Sequence, residues 1–153
     1  MRANIPIEGL HSDELLEDWA WLIRKPCTLI AMNNFGDMFL CDENGTIDFL
    51  ELASGQITNV ASTTAEFQRL AAEKEMQRNW FFTDLLTELE LAGMAIAKSQ
   101  CFCYKVPPIL GGKTETSNIE AGNIYVYSSL MGQIHQQVRN LTPGTKISGL
   151  KIE

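Results

Sequence analysis

An α+β fold, with an antiparallel β-meander packed against about four helices in a single compact domain, is predicted by three features of the 153-residue sequence. Residues 27–62 hold four short strand-like runs separated by turns rich in Gly and Asn. Two helix-like stretches follow with no strand between them. The remainder reads strand, loop, strand, helix, without the regular β-α alternation of a parallel sheet.

In order along the chain, residues 1–11 read as an irregular lead-in. Ser12 is placed to cap a first helix: Asp13, Glu14, Glu17 and Asp18 suit its N-terminus, Arg24 and Lys25 suit its C-terminus, and Pro26 stops it. Leu15, Leu16, Trp19, Leu22 and Ile23 form its apolar stripe, with Trp21 off-centre as a rim or contact residue. Residues 27–32 and 37–42 then read as strands joined by a turn at Asn33, Asn34, Phe35 and Gly36. Glu43, Asn44 and Gly45 form the next turn, since Asn and Gly tolerate positive φ. Residues 46–52 return, and residues 56–61 make the fourth strand. Residues 38–41 are apolar on both faces, as in a central covered strand, whereas Asp48 and Glu51 mark the third strand as more exposed.

Thr63 or Thr64 caps a further helix, with Phe67, Leu70 and Ala71 on its apolar side and Glu66 at capping-box spacing from Thr63. A longer helix is expected over residues 79–92, burying Trp80, Phe82, Leu85, Leu86 and Leu89, with Gly93 ending it. Residues 100–106 have strand character up to Pro107 and Pro108, which lack amide donors. A polar loop through Asn118, a strand over residues 124–127, and a helix capped by Ser128 or Ser129 complete the pattern. Residues 146–152 are a loop or terminal strand.

Composition bounds the function. Twelve Lys and Arg against 19 Asp and Glu give a net charge of −7 and a pI near 4.8. A primary nucleic-acid role is disfavoured, because phosphate binding needs a basic footprint. No apolar run approaches a membrane span and the N-terminus lacks the apolar block of a signal peptide, so the cytoplasm is the expected compartment. Cys27, Cys41, Cys101 and Cys103 lie in apolar, strand-like segments and are expected to be reduced core residues. Cys101 and Cys103 share a strand face, but no paired ligand sets at zinc spacing accompany them, and neither a metal nor a cofactor is expected.

Catalytic motifs are equally sparse. Leu110, Gly111, Gly112, Lys113 and Thr114 end like a phosphate loop, but Pro107 stands where the upstream Gly would have to be. His11 and His135 have no local cue pairing them with a cysteine nucleophile. The carboxylates Asp42, Glu43, Asp48 and Glu51, in and around the hairpin, instead suggest an acidic surface that steers a basic protein partner, with Trp21 as an aromatic anchor.

Two stretches carry a family resemblance. The first runs from Asn34 through Gly36, Asp37 and Asp42 to Gly45, and resumes over residues 62–67. The second is Tyr104, Lys105, Val106, Pro107, Pro108, Ile109, Leu110, Gly111 and Gly112, then Asn118, then residues 125–138 with Gly132, Gln133, Ile134 and His135. Over roughly residues 12–150 the chain resembles a bacterial domain-of-unknown-function family that corresponds to the C-terminal domain of type VI secretion DNase immunity proteins. The resemblance implies an α+β domain without enzymatic activity that binds and neutralises a cognate nuclease toxin. Its motif residues Gly36, Asp37, Pro107, Pro108, Leu110, Gly111, Gly112, Asn118, Gly132 and His135 are expected to be structural. Many relatives carry a GAD-related domain in front; here the pattern begins near residue 12, so a full preceding domain is not expected. Two other readings compete: a small-ligand site or enzyme built on residues 107–118 with Tyr104, Asn118 and His135, and a self-associating housekeeping domain.

Overall fold

The turn-rich segment from Cys27 to Ala61 forms the expected meander. In a computed structural model that describes residues 2–153, strands β1 (Cys27–Met32), β2 (Met38–Asp42), β3 (Ile47–Glu51) and β4 (Gln56–Ala61) pair antiparallel in the order β1-β2-β3-β4. Met1, the first residue of the lead-in, lies outside the described residues. Gly36, Gly45 and Gly55 all take positive φ at the turns between strands, which side chains with a Cβ resist. Phe39 and Phe49 are register partners whose rings stack at 4.4 Å. β3 is more buried than its carboxylates suggest: Ile47, Phe49 and Leu50 are all in the core, and only Asp48 and Glu51 reach partial exposure.

The alternation of β2 feeds two cores. Met38 and Leu40 pack with Trp19, Met131 and Ile134, while Phe39 packs with Phe67, Trp80 and Phe81. The second core is closed by helices α2 (Thr64–Ala71) and α3 (Lys74–Phe81). Thr63 caps α2, its hydroxyl accepting from the Glu66 amide at 3.1 Å. The polar stretch over residues 74–79, which lies between the two helices expected from the sequence, belongs to α3. The expected helix over residues 79–92 is instead broken at Phe82, whose φ of 51° is left-handed, and α4 (Thr83–Leu91) begins after it. Gly93 ends α4 as expected: its amide reaches the Glu90 carbonyl while that of Met94 reaches Leu89, a paired C-terminal cap.

The first helix is corrected more deeply. It spans only Ser12–Leu15, with His11 rather than Ser12 at the cap, followed by a 3-10 turn at Glu17–Trp19. The cause is tertiary. The Ser128 hydroxyl donates to the Leu15 carbonyl at 2.7 Å, so the Trp19 amide bonds to Leu16 instead, and the Trp19 indole donates to the Ser128 carbonyl at 3.0 Å.

Ser128 is free to do this because it lies inside the last helix rather than capping it. The strand expected over residues 124–127 is the first turn of α5 (Ile124–Val138), and Asn123 caps it by accepting from the Tyr125 and Val126 amides. The true strand partner of β5 (Gln100–Tyr104) is β6 (Ile119–Asn123). Five α-helices stand among the described residues, α3 and α4 being separated at Phe82, within the α+β fold that the sequence predicts. Residues 146–152 form no strand. The side-chain amides of Gln133 and Gln137, one turn apart on α5, hydrogen-bond the main chain of Glu153 and Lys151 and hold the C-terminal segment against the helix.

Candidate functional site

Strand alternation separates the four carboxylates proposed as a contact surface. Asp42 and Asp48 lie on one side of the meander, and both are clamped by Lys25, whose ammonium is 2.8 Å from Asp42 and 3.1 Å from Asp48. That hydrogen bond, reinforced by the Thr46 and Asn44 amides, holds the Asp42 carboxyl below its usual range. Around the three charges Leu22, Ile23, Arg24, Cys27, Leu40 and Ile57 line an open cavity of about 340 Å³. Glu43 sits in the following turn and is exposed. Glu51 is at the far end of β3, three residues from Asp48 and on the other side of the sheet by alternation. The structure therefore brings Asp42 and Asp48 together, sets Glu43 beside them in sequence, and sends Glu51 elsewhere.

Trp21 is half-buried and already engaged. Its indole donates to the Gly132 carbonyl at 3.2 Å, stacks on Trp19 with centroids 6.0 Å apart, and lies 5.2 Å from the Arg139 guanidinium. A partner would meet it as one edge of a fixed Trp-Arg stack.

The motif residues hold backbone in place. Asn118 accepts from the Val106 amide and donates to the carbonyls of Val106 and Lys113, closing the loop that follows Pro107 and Pro108. Leu110 packs on the main core, and Gly111 turns the chain with a φ of 93°. A Cβ on Gly112 would stand 1.7 Å from the Val106 carbonyl oxygen, and one on Gly132 2.5 Å from that of Asp18, so both close approaches require Gly. Gly36 lets Leu52 and Cys101 pack over the β1–β2 turn. Both Asn118 side-chain N–H donors are committed to main-chain carbonyls. His135 is buried, its ring nitrogen 2.9 Å from the Leu52 carbonyl, and burial lowers its pKa. Cys101 and Cys103 are buried with sulfurs 3.7 Å apart, and Cys27 and Cys41 are half-buried; all four are free thiols. Among the described residues no group of three or more His, Cys, Asp or Glu is arranged to hold a metal, and no helix is long and apolar enough to cross a membrane.

Sequence reasoning missed one constellation. Phe35, Asp37, Glu51, Phe82, Leu85, Tyr104 and Tyr127 line a recessed cavity of about 100 Å³ closed by Ala53 and Ser54. Asp37 is fully enclosed, accepting from the Leu52 amide at 2.8 Å and the Asn33 side chain at 2.9 Å. Burial outweighs those bonds and lifts its pKa to about 7. Burial also raises the pKa of Glu51, Tyr104 and Tyr127. The lining comes from separate stretches of chain that share no spacing; the only advance signal is Asp37 itself, a carboxylate between the turn residue Gly36 and the apolar strand that begins at Met38.

The α+β fold is shared with a solved structure. The crystal structure of Atu4351 from Agrobacterium tumefaciens shares it, with a TM-score of 0.54 and 14% identity over 70% of this chain and 54% of that one. This chain spans about half the length of that protein. Residues 61–135 match the model of the family described as T6SS immunity protein Tdi1, C-terminal, the family that the motifs resemble. The matched stretch runs from the end of β4 to His135 in α5. No curated protein matches the chain.

Proposed function

We propose that this protein is a non-enzymatic immunity protein of a type VI secretion system that neutralises a cognate nuclease toxin by binding it directly. The family match over residues 61–135 carries the reading. Two physical features support it. A net charge of −7 favours capture of a protein whose own surface is basic because it holds DNA. The motif residues are spent on backbone contacts, which suits a rigid binding module, since preformed surfaces lose little entropy on association. The site of action is the cytoplasm, where four free thiols stay reduced. Contact is assigned to the rim around Asp42, Glu43 and Asp48, with Glu51 and Trp21 as separate contact points.

Co-expression with the product of the adjacent gene tests this. The neighbour is expected to be toxic alone, harmless with this protein, and to copurify with it. A neighbour that is neither toxic nor bound would leave the fold and remove the function.

A further inference from the structure

The two groups of carboxylates differ in one respect. Asp42 and Asp48 have Lys25 as an internal counter-ion. The Glu51 carboxylate has neither a hydrogen bond nor an ion pair among the described residues, and no Lys or Arg lines the cavity it shares with Asp37. The walls are aromatic. Phe35 and Phe82 meet edge to face at 5.7 Å, and Tyr104 and Tyr127 also line the cavity. Phe82 reaches this position from a left-handed backbone that a non-Gly residue adopts at a cost, a conformation that persists because packing holds it. The Tyr127 hydroxyl accepts from the Tyr104 amide at 3.5 Å, which leaves its own proton uncommitted.

Carboxylates without a counter-ion, set among aromatic faces, complement a cation that is flat and weakly hydrated. A guanidinium stacks on rings while its N–H groups fork toward a carboxylate; an ammonium holds its water more tightly and has no plane to stack. The volume of about 100 Å³ is roughly three waters at ~30 Å³ each. That accommodates a guanidinium and the end of its stem, so the rest of the ligand must remain outside.

We infer that this cavity is an anchor pocket for an arginine side chain presented by a partner protein, with Glu51 as the charge that pairs it and Phe35, Phe82 and Tyr104 as the faces that hold it. The proposed immunity function supplies the identity of that partner, but the preference for arginine is a property of the cavity alone.

The test uses the free protein and a blocked Gly-Arg-Gly tripeptide, with citrulline and lysine versions as controls. Titration followed by amide NMR is expected to give saturable shifts at Phe35, Glu51, Phe82, Tyr104 and Tyr127 with the arginine peptide, and little with citrulline, which keeps the shape and loses the charge. The lysine peptide is expected to bind at least about fivefold more weakly. Glu51→Gln removes a group that holds nothing in place, so the variant should fold normally and lose at least about fivefold in affinity. No saturable shifts at these residues, equal binding of citrulline or lysine, or unchanged affinity in Glu51→Gln would each overturn the assignment. The toxin is absent from the measurement, so failure here would leave the immunity reading standing.

Discussion

The ring of His135 occupies the space that a side chain on Gly55 would need: a Cβ there would lie 2.5 Å from the imidazole, whose Nε2 is 2.9 Å from the Leu52 carbonyl. One residue of α5 thereby locks the β3–β4 turn, and its ring also packs against Trp19, with centroids 5.8 Å apart. This contact joins the N-terminal segment, the meander and the last helix.

Gly55→Ala is expected to be among the more damaging single-methyl changes in the protein. It combines a disfavoured φ of 69° with a clash against an aromatic ring. A loss of about 2–4 kcal/mol is expected in urea unfolding. Gly45→Ala, also at positive φ but facing open space, should cost only about 1–2 kcal/mol.

His135 and Asp37 make opposing contributions to the pH dependence of stability. Burial lowers the His135 pKa, so the unfolded chain takes up the proton first and this contribution is lost as pH falls through about 6.5. Burial raises the Asp37 pKa from 3.8 to about 7, so the folded chain holds the proton longer and stability falls as pH rises across that interval. Both Asp37 oxygens accept bonds, so Asp37→Asn must turn a donor toward a donor and should cost about 1–3 kcal/mol near pH 4. Its deficit should shrink toward pH 7, where the wild type has lost its advantage. Denaturant titrations at several pH values would reveal this, and a deficit independent of pH would contradict the assignment.

Lys25 acts as an internal competitor for any basic partner at Asp42 and Asp48. Lys25→Ala should accelerate association with a basic partner and steepen its salt dependence, whereas Asp42→Asn with Asp48→Asn should slow it. Stopped-flow association rates at several salt concentrations read the difference. Equal rates for all three proteins would remove this rim from the interface.

Much of the meander was legible because its signals are local. Asn44-Gly45 and Ala53-Ser54-Gly55 turn the chain, the apolar run Met38 to Cys41 marks a covered strand, and Thr63 caps α2 as its spacing to Glu66 suggests. The misread elements depend on distant partners. Leu15 has a helical neighbourhood until Ser128, over a hundred residues away, takes its carbonyl. Phe82 breaks a helix with no Gly or Pro to announce it, because its ring packs against Phe35. Ile124, Tyr125 and Val126 have β-forming side chains, yet the Asn123 cap and the burial of Ile124, Tyr127, Met131 and Ile134 along one side make them the start of a helix. The arginine cavity was hidden for the same reason: its acidic and aromatic residues meet only after the meander, the Phe82 break and α5 are assembled.

The central claim, neutralisation by direct noncovalent binding, is tested most directly by titrating the nuclease activity of the adjacent gene product with this protein. Activity is expected to fall in proportion to added protein and to vanish near equivalence, with recovery when the complex is dissociated. Inactivation by far less than an equivalent would indicate an enzyme, and undiminished activity at excess would show that this protein does not neutralise that nuclease.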